Sequence, residues 1–477
     1  MSNRPLLTAS LLTLLTAALF TLVSVLASFL SEIAVSRETA RSNILHSLQT
    51  GHFTDQIKLP LAKQEMPALS GNDCLILDMI ALPYRSTWEE AVSPYLLTSR
   101  LQNLPGMRED EPWTCGVTRL SVQQNVTVEP DGLYHRNLHG YRTVMRLLLG
   151  VQDVHGMQVT IFAALLLVTV TMLAVSGHGW WRLRGTTEAA RPAAYTAVSF
   201  TLLVFYGLPL YGWWPSYSLA DIVTVGFLAT AYLTPWHHLS AGRRTVMVAL
   251  FGCLTAYFEF LTGGLLIGAC MLAGIVAIEG RGDSGRRLVA DTAQALCVFG
   301  AAAVLCFALK MALVAAIFGP QELAIFGDAL GHRASGTILA ELSPHLTERY
   351  RAIGLDPAIV DKSLLLRIAM MGVALLHASF VLAYGSTPMG AGLLLLSLAV
   401  IGLHLLLLIK GRKTDHRAGD YMLVASILIL PVWYLAFINH SILHAIWMVR
   451  PLAWMVAVAL ALTALRLTDR AAARAAG

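Results

Sequence analysis

The sequence predicts an all-α polytopic membrane protein with a mixed, folded loop domain outside the cytoplasm between its first and second spans. Three observations predict it. Hydrophobic residues make up 56% of the 477, charged residues only 13%, and the apolar residues fall into long runs. Mean hydropathy is +0.63. A soluble globular chain is roughly a quarter charged, so this one has too little charge to clothe a water-soluble surface.

A helix needs roughly 17 to 25 mostly apolar residues to cross about 30 Å of hydrocarbon. About eleven runs approach that length. They lie near Leu6–Leu30, Met157–Val175, Tyr195–Tyr211, Leu219–Pro235, Val246–Phe258, Leu261–Ile278, Ala293–Phe318, Leu364–Tyr384, Met389–Ile409, Met422–Ile438 and Leu452–Leu465. The first run is longer than the core of a secretory signal and lacks a clean small-x-small cleavage site after it, so it reads as a retained span. The chain then divides into a first span (1–30), a loop domain (31–156), a membrane core (157–318), a second outside loop (319–363) and a C-terminal membrane part (364–477).

Arginines in short loops give the orientation. Arg4 precedes the first span; Arg182, Arg184 and Arg191 follow the second, Arg243 and Arg244 the fourth, and Arg281, Arg286 and Arg287 the sixth. All fit a cytoplasmic amino terminus. The Ala-, Leu- and Arg-rich composition suggests a bacterial inner membrane. The rule then breaks: two further crossings after the second outside loop would leave Lys410, Arg412, Lys413 and Arg417 outside. Either one late segment does not cross or the rule fails there.

Val246–Ile278 is flanked by arginines at both ends, so it must go out and return, with a break at Thr262-Gly263-Gly264. Glycine permits the tight turn. Non-helical backbone at that depth is tolerated where protein or water satisfies it, so the turn is expected to line a cavity.

Of six cysteines, Cys74 and Cys115 alone fall in the large outside loop. An oxidising compartment favours their pairing. Asn125-Val126-Thr127 matches a glycosylation pattern and reads as a chance match in a bacterial chain. There is no Walker loop, GxGxxG, HExxH or GxSxG. Nothing points to a cofactor, a metal or nucleic acid.

Ionisable groups within or beside spans are costly and mark candidate sites. Glu259 stands in Tyr257-Phe258-Glu259-Phe260-Leu261-Thr262, as a base, a ligand contact or a packing carboxylate. His440 and His444 share one helix face, followed by Arg450. They read as a phosphate-binding set or as polar packing between spans. Arg136, His139, Tyr141, Arg142 and Arg146 belong to an amphipathic basic segment leading into the second span. Such a segment lies at a membrane interface, drawn to lipid headgroups or forming a wall of a phospholipid-like ligand site. Lys310 reads as snorkelling. Among the outside carboxylates Glu32, Asp73, Asp78, Glu89, Glu90 and Asp131, most are expected to be solvated. Glu32 is notable for its place at the membrane face and Asp78 for its apolar setting, where burial would raise its pKa.

Three stretches carry a resemblance: YHRNLHGYRTVMR (134–146), TAYFEFLTGG (255–264) and NHSILHAIWMVR (439–450). They resemble motifs of a family of bacterial multi-pass membrane proteins with no assigned reaction, with Glu259 where that family has Asp and Leu138 where it has Trp. The order of spans and loops resembles the GT-C glycosyltransferases, with a large outside loop after the first span and a second after the seventh. That resemblance implies an inverting sugar transfer from a polyprenyl-phosphate donor in the membrane lipid to an extracytoplasmic acceptor. Glu259, Glu32 or Asp78 would be the base. Arg136, His139, Tyr141, Arg142, Tyr257, Thr262, His440, His444 and Arg450 would bind substrate. The competing class is a transporter or flippase of an anionic lipid or solute, which would hold its polar residues at mid-membrane and show related halves.

Overall fold

A computed structural model describes residues 4–50, 68–81, 86–96, 113–124, 132–134, 138–259, 263–335, 344–352, 356–383, 386–410 and 416–476. Arg136, Thr262, Asp131 and the Asn125 pattern lie outside them. The described chain is almost entirely helical. The apolar first run forms α1 (Arg4–Ala34). The segment between the first two long apolar helices gives α2 (Arg37–Thr50), α3 (Ala68–Ala81), α4 (Thr87–Val92), α5 (Trp113–Gln123) and α6 (Gly140–Leu149). Two short strands, β1 (Tyr95–Leu96) and β2 (Gly132–Leu133), pair antiparallel with Tyr95 opposite Leu133.

The membrane core follows as α7 (Val154–Arg182), α8 (Ala190–Val204), α9 (Leu208–Tyr211), α10 (Pro215–Leu233), α11 (Ala241–Phe258), α12 (Gly264–Glu279) and α13 (Gly285–Phe318). The second loop holds α14 (Gln321–Ser335), α15 (Pro344–Ala352) and α16 (Pro357–Val360). The C-terminal part holds α17 (Leu364–Ala378), α18 (Thr387–Lys410), α19 (Arg417–Ala425), α20 (Ile429–Ala436), α21 (Ile438–Leu443), α22 (Ala445–Met448) and α23 (Ala453–Ala476). Among the described residues, eight helices are long and apolar enough to cross a membrane. The expected runs at Tyr195–Tyr211, Val246–Phe258 and Leu261–Ile278 form helices too, α8, α11 and α12, but these are shorter or less apolar.

Local signals start the helices. Ser240 and Ser284 cap α11 and α13 by accepting from the amides of Arg243 and Arg287. Asp153 caps α7 through Gly156 N at 2.8 Å. Such caps satisfy amides that the first helical turn leaves open. Small residues then let helices approach closely. Gly252 faces the Phe299 carbonyl, and Gly274 faces the Trp454 indole. Phe227 and Phe251 stack at 3.9 Å between ring centroids, tying α10 to α11. α12 is buried along almost its whole length, sheathed by other helices.

Charged pairs define two poles. At one, Arg281 bridges Asp420 at 3.0 Å and Asp469 at 2.8 Å. Nearby, Glu279 accepts from Arg191 Nε at 2.6 Å, Tyr195 Oη at 2.8 Å and the Trp236 amide at 3.2 Å. This arginine pole gathers the ends of α10, α12 and α23 with the starts of α8 and α19. The end of α18 joins them, because Arg417 donates to the carbonyls of Leu408 and Ile409. The other pole carries the α2–α6 domain, the starts of α10 and α12, and α21 and α22.

α17 packs on α21 and α22 at that second pole. α18 is 24 residues long, about 36 Å at 1.5 Å per residue, and runs from Thr387 down to the arginine pole. Thr387, at the far end of α18 from that pole, lies toward the domain pole. Lys410 and Arg417 share the pole of Arg281, as an arginine rule applied throughout would require.

Candidate functional site

The first motif is held by an ionic clasp. Glu32, at the end of α1, pairs with Arg142 at 2.6 Å and Arg146 at 2.9 Å, and Arg142 also reaches Glu90 at 3.5 Å. Arg142 donates to the Met79 and Glu90 carbonyls, and Arg146 to those of Ser31, Val35 and Ile80. All four charged side chains are buried. Burial pulls the Arg146 guanidinium down to about 10, against the opposing pull of Glu32. The clasp fastens α1, α3, α4 and α6 into one unit. Glu32 and Arg142, expected as base and phosphate ligand, are thus occupied with each other.

The same helix meets the second motif. A Cβ on Gly140 would run into the Tyr257 ring. Tyr257 Oη lies 3.2 Å from Thr143 Oγ1, which lies 2.7 Å from Ser28 Oγ. His139, at a left-handed φ of 62°, places its Nδ1 3.1 Å from Tyr141 Oη. Glu259 ends α11 and turns its carboxylate onto the start of α12. Its Oε1 accepts from Gly263 N at 3.0 Å, and its Oε2 fills the space where a Cβ on Gly264 would stand. A carboxylate at a helix N-terminus is favoured by the exposed amides and the helix dipole. Gly263, at φ 96°, lies against Pro451, where a Cβ would stand 2.8 Å from Pro451 Cγ. The second and third motifs therefore touch.

The third motif forms a ladder of rings. His440 and His444 lie 4.5 Å apart, His444 stacks on Trp447 at 4.7 Å and 15°, and Trp447 reaches Tyr217 at 6.1 Å. Arg450 is sandwiched between Tyr206 at 4.1 Å and Tyr211 at 4.3 Å. Its NH2 meets Asp221 Oδ2 at 2.5 Å, and its Nε donates to the Tyr206 carbonyl. Cation–π contact and a buried carboxylate together hold this guanidinium in apolar surroundings.

Above the ladder stands a residue expected to be solvated surface. Asp73, on α3, is 1% exposed. Its Oδ1 accepts from Ser216 N at 3.0 Å, while its Oδ2 is buried without a hydrogen-bond partner. Next to it, Asn72 donates to Tyr217 Oη at 2.8 Å, joining Asp73's helix to the ring ladder. Burial outweighs the help of Ser216 and pushes the Asp73 carboxyl up to about 7. The expectation that most of these carboxylates are solvated is corrected for Asp73 and Glu90, which are buried along with Glu32 and Asp78, while Glu89 is half-buried. Asp73 faces the seam between the domain and the bundle, whereas Asp78 lies beside Thr118 of α5 inside the domain. Burial pushes Asp78 well up, opposed by Thr118, in the apolar setting its neighbours imply.

Cys74 and Cys115 are joined as a disulfide, fixing α3 to α5 directly beside Asp73. Asp73 and Asp221 were not singled out as site residues. Asp221 carries a signal, an acid within the apolar run Ser218-Leu219-Ala220-Asp221-Ile222-Val223; Asp73 has none beyond its place beside Cys74. Among the described residues, no group of three or more His, Cys, Asp or Glu gathers to hold a metal. Comparisons with family models, curated proteins and solved structures find no match to this chain.

Proposed function

We propose that the chain is a membrane glycosyltransferase that moves a sugar from a polyprenyl-phosphate donor to an acceptor at the extracytoplasmic face. The observation that carries this reading is Asp73, a buried carboxyl poised near neutrality at the seam between domain and bundle, whose neighbour Asn72 reaches Tyr217 at the end of the ring ladder of His440, His444 and Trp447. The acceptor hydroxyl oxygen bonds to the anomeric carbon as the anomeric carbon–oxygen bond breaks. The bonding pair leaves on the donor phosphate, and the hydroxyl proton passes to Asp73 Oδ2. A base with a pKa near the working pH is suited to that transfer. Cationic and hydrogen-bonding partners stabilise charge that develops on the phosphate. In this reading Glu259 positions the α11–α12 turn, and Glu32 and Asp78 serve the domain's structure.

The membrane assignment follows the same arginine logic. The arginine pole is cytoplasmic and the domain pole is outside. α1, α7, α8, α10, α11, α12, α13, α18, α19 with α20, and α23 cross, while α17 stays at the outer side. Both termini are then cytoplasmic, in keeping with Arg466, Arg470 and Arg474 near the C-terminus.

The test is transfer of labelled sugar from polyprenyl-phosphate donors, by purified protein in liposomes, to lipid or glycan acceptors. Transfer that His440→Ala weakens through donor affinity supports the reading. Movement of the intact donor between leaflets, with no bond made or broken, would replace it with a flippase.

A further inference from the structure

We infer that the groove between the C-terminal ends of α7 and α23 is a binding site for an anionic phospholipid of the cytoplasmic leaflet. The groove has a volume of about 520 Å³ and is lined by Trp180, Trp181, Arg184, Leu467 and Thr468. That volume is in the range of small-molecule sites, roughly 300 to 1,000 Å³. The 3-10 turn Thr187–Ala189 touches both helices at their ends.

Its depth suits a headgroup. α7 has 29 residues, about 44 Å of helix against about 30 Å of hydrocarbon, so its last turns pass beyond the acyl region. Tryptophans settle at that level because one edge of the ring is apolar and the other polar. Trp180 and Trp181 stand partly exposed there, beside apolar Leu467.

Its charge is uncompensated. Several guanidinia of this pole are engaged: Arg191 with Glu279, Arg281 with Asp420 and Asp469, Arg287 with Asp283. Among the described residues, Arg184 meets no carboxylate; its guanidinium lies 4.9 Å over the Trp181 ring. Arg182 beside it is exposed and also unpaired by any described carboxylate. The nearby Asp469 is already held by Arg281. Gly185, at φ 85°, turns the chain away from the end of α7, leaving the mouth beside Arg184 bordered by Ala471. A cation on an aromatic face over an apolar groove offers a phosphodiester a positive partner and its acyl chains an apolar bed. Basic pockets between helices on the cytoplasmic side take acidic headgroups for this reason. This inference is independent of the transfer reaction, since the groove lies at the opposite pole.

The experiment uses the full chain in detergent with equal amounts of phosphatidylglycerol and phosphatidylcholine, read by native mass spectrometry. Phosphatidylglycerol should be retained preferentially. Arg184→Ala should lower its retention about five-fold, from the attraction one arginine exerts on an acidic headgroup. Trp181→Ala should lower retention of both lipids, and Arg351→Ala, at the other pole, should change neither. Equal retention of the two lipids overturns the inference, as does an Arg184→Ala protein that retains phosphatidylglycerol like the parent. Loss of the lipid to excess inorganic phosphate would overturn it too, because the groove would then be a simple anion site.

Discussion

Asp73 Oδ1 accepts a hydrogen bond from the Ser216 amide at 3.0 Å, so a helix of the α2–α6 domain caps the first turn of α10 across the domain–bundle seam. The arrangement makes stability depend on pH. The folded carboxyl titrates at about 7, above the 3.8 of an unperturbed aspartate. In the window between them the folded chain keeps a proton that the unfolded chain has lost, so stability falls as pH rises from about 4 to about 7 and then levels. The full effect is of order 4 kcal/mol at 1.36 kcal/mol per unit. Asp73→Asn should flatten this slope and melt higher than the parent at pH 8, while losing transfer. Melting curves followed by tryptophan fluorescence across that window check it; an unchanged slope in Asp73→Asn would refute it.

Glu32→Gln should destabilise the protein by about 3–5 kcal/mol, because removing one partner strands buried charge. Arg142 would keep only the more distant Glu90, and Arg146 no carboxylate. Thermal unfolding of the variant measures the loss, and a double variant with Arg146→Met should recover part of it. A single variant that melts with the parent would show that the clasp contributes nothing net.

Gly140→Ala tests contact between the first two motifs. The added methyl meets the Tyr257 ring, which is fixed edge-on by Phe20 at 5.6 Å. Overpacking of this kind costs about 1–3 kcal/mol. Combined with Tyr257→Ala, the two changes should cost less than their sum. Strict additivity in denaturation would mean that the contact is absent.

Sidedness is testable with single cysteines placed in a background whose four unpaired cysteines are alanine. A cysteine at Lys410 should react with an impermeant reagent only after lysis, and one at Ser386 in whole cells. The reverse pattern would mean that α17 crosses, and reaction of both in whole cells would mean that α18 does not.

Much of the architecture was legible because hydropathy is a local property: the apolar runs, their helices and the outside cysteine pair follow from neighbours in sequence. The candidate site was only partly so. Charges in the Arg142–Glu32 and Arg450–Asp221 pairs come from distant segments, and no periodicity in either segment announces its partner. Asp73 looks like an ordinary loop acid until the domain is set down on α10. α17 has the length and hydropathy of a span. Its packing on α21 and α22, the ground for the proposal that it stays at the domain pole, is something window hydropathy does not contain. The conflict over Lys410 was the one trace of this visible in the sequence.

The double clasp on Arg281 also bears on biosynthesis. Its second carboxylate, Asp469, lies 188 residues downstream, so it emerges about 10–40 s after Arg281 at about 5–20 residues per second. Until Asp420, 139 residues downstream, emerges, Arg281 has neither carboxylate, and from then until Asp469 it has one, with α23 not yet there to sheathe α12. Until α23 is made, the arginine pole lacks both the helix and the carboxylate that close it, and the nascent chain is exposed to chaperones and membrane proteases. A chain cut short ahead of Asp469 would leave Arg281 only partly neutralised, a state that cellular surveillance can distinguish from the finished protein.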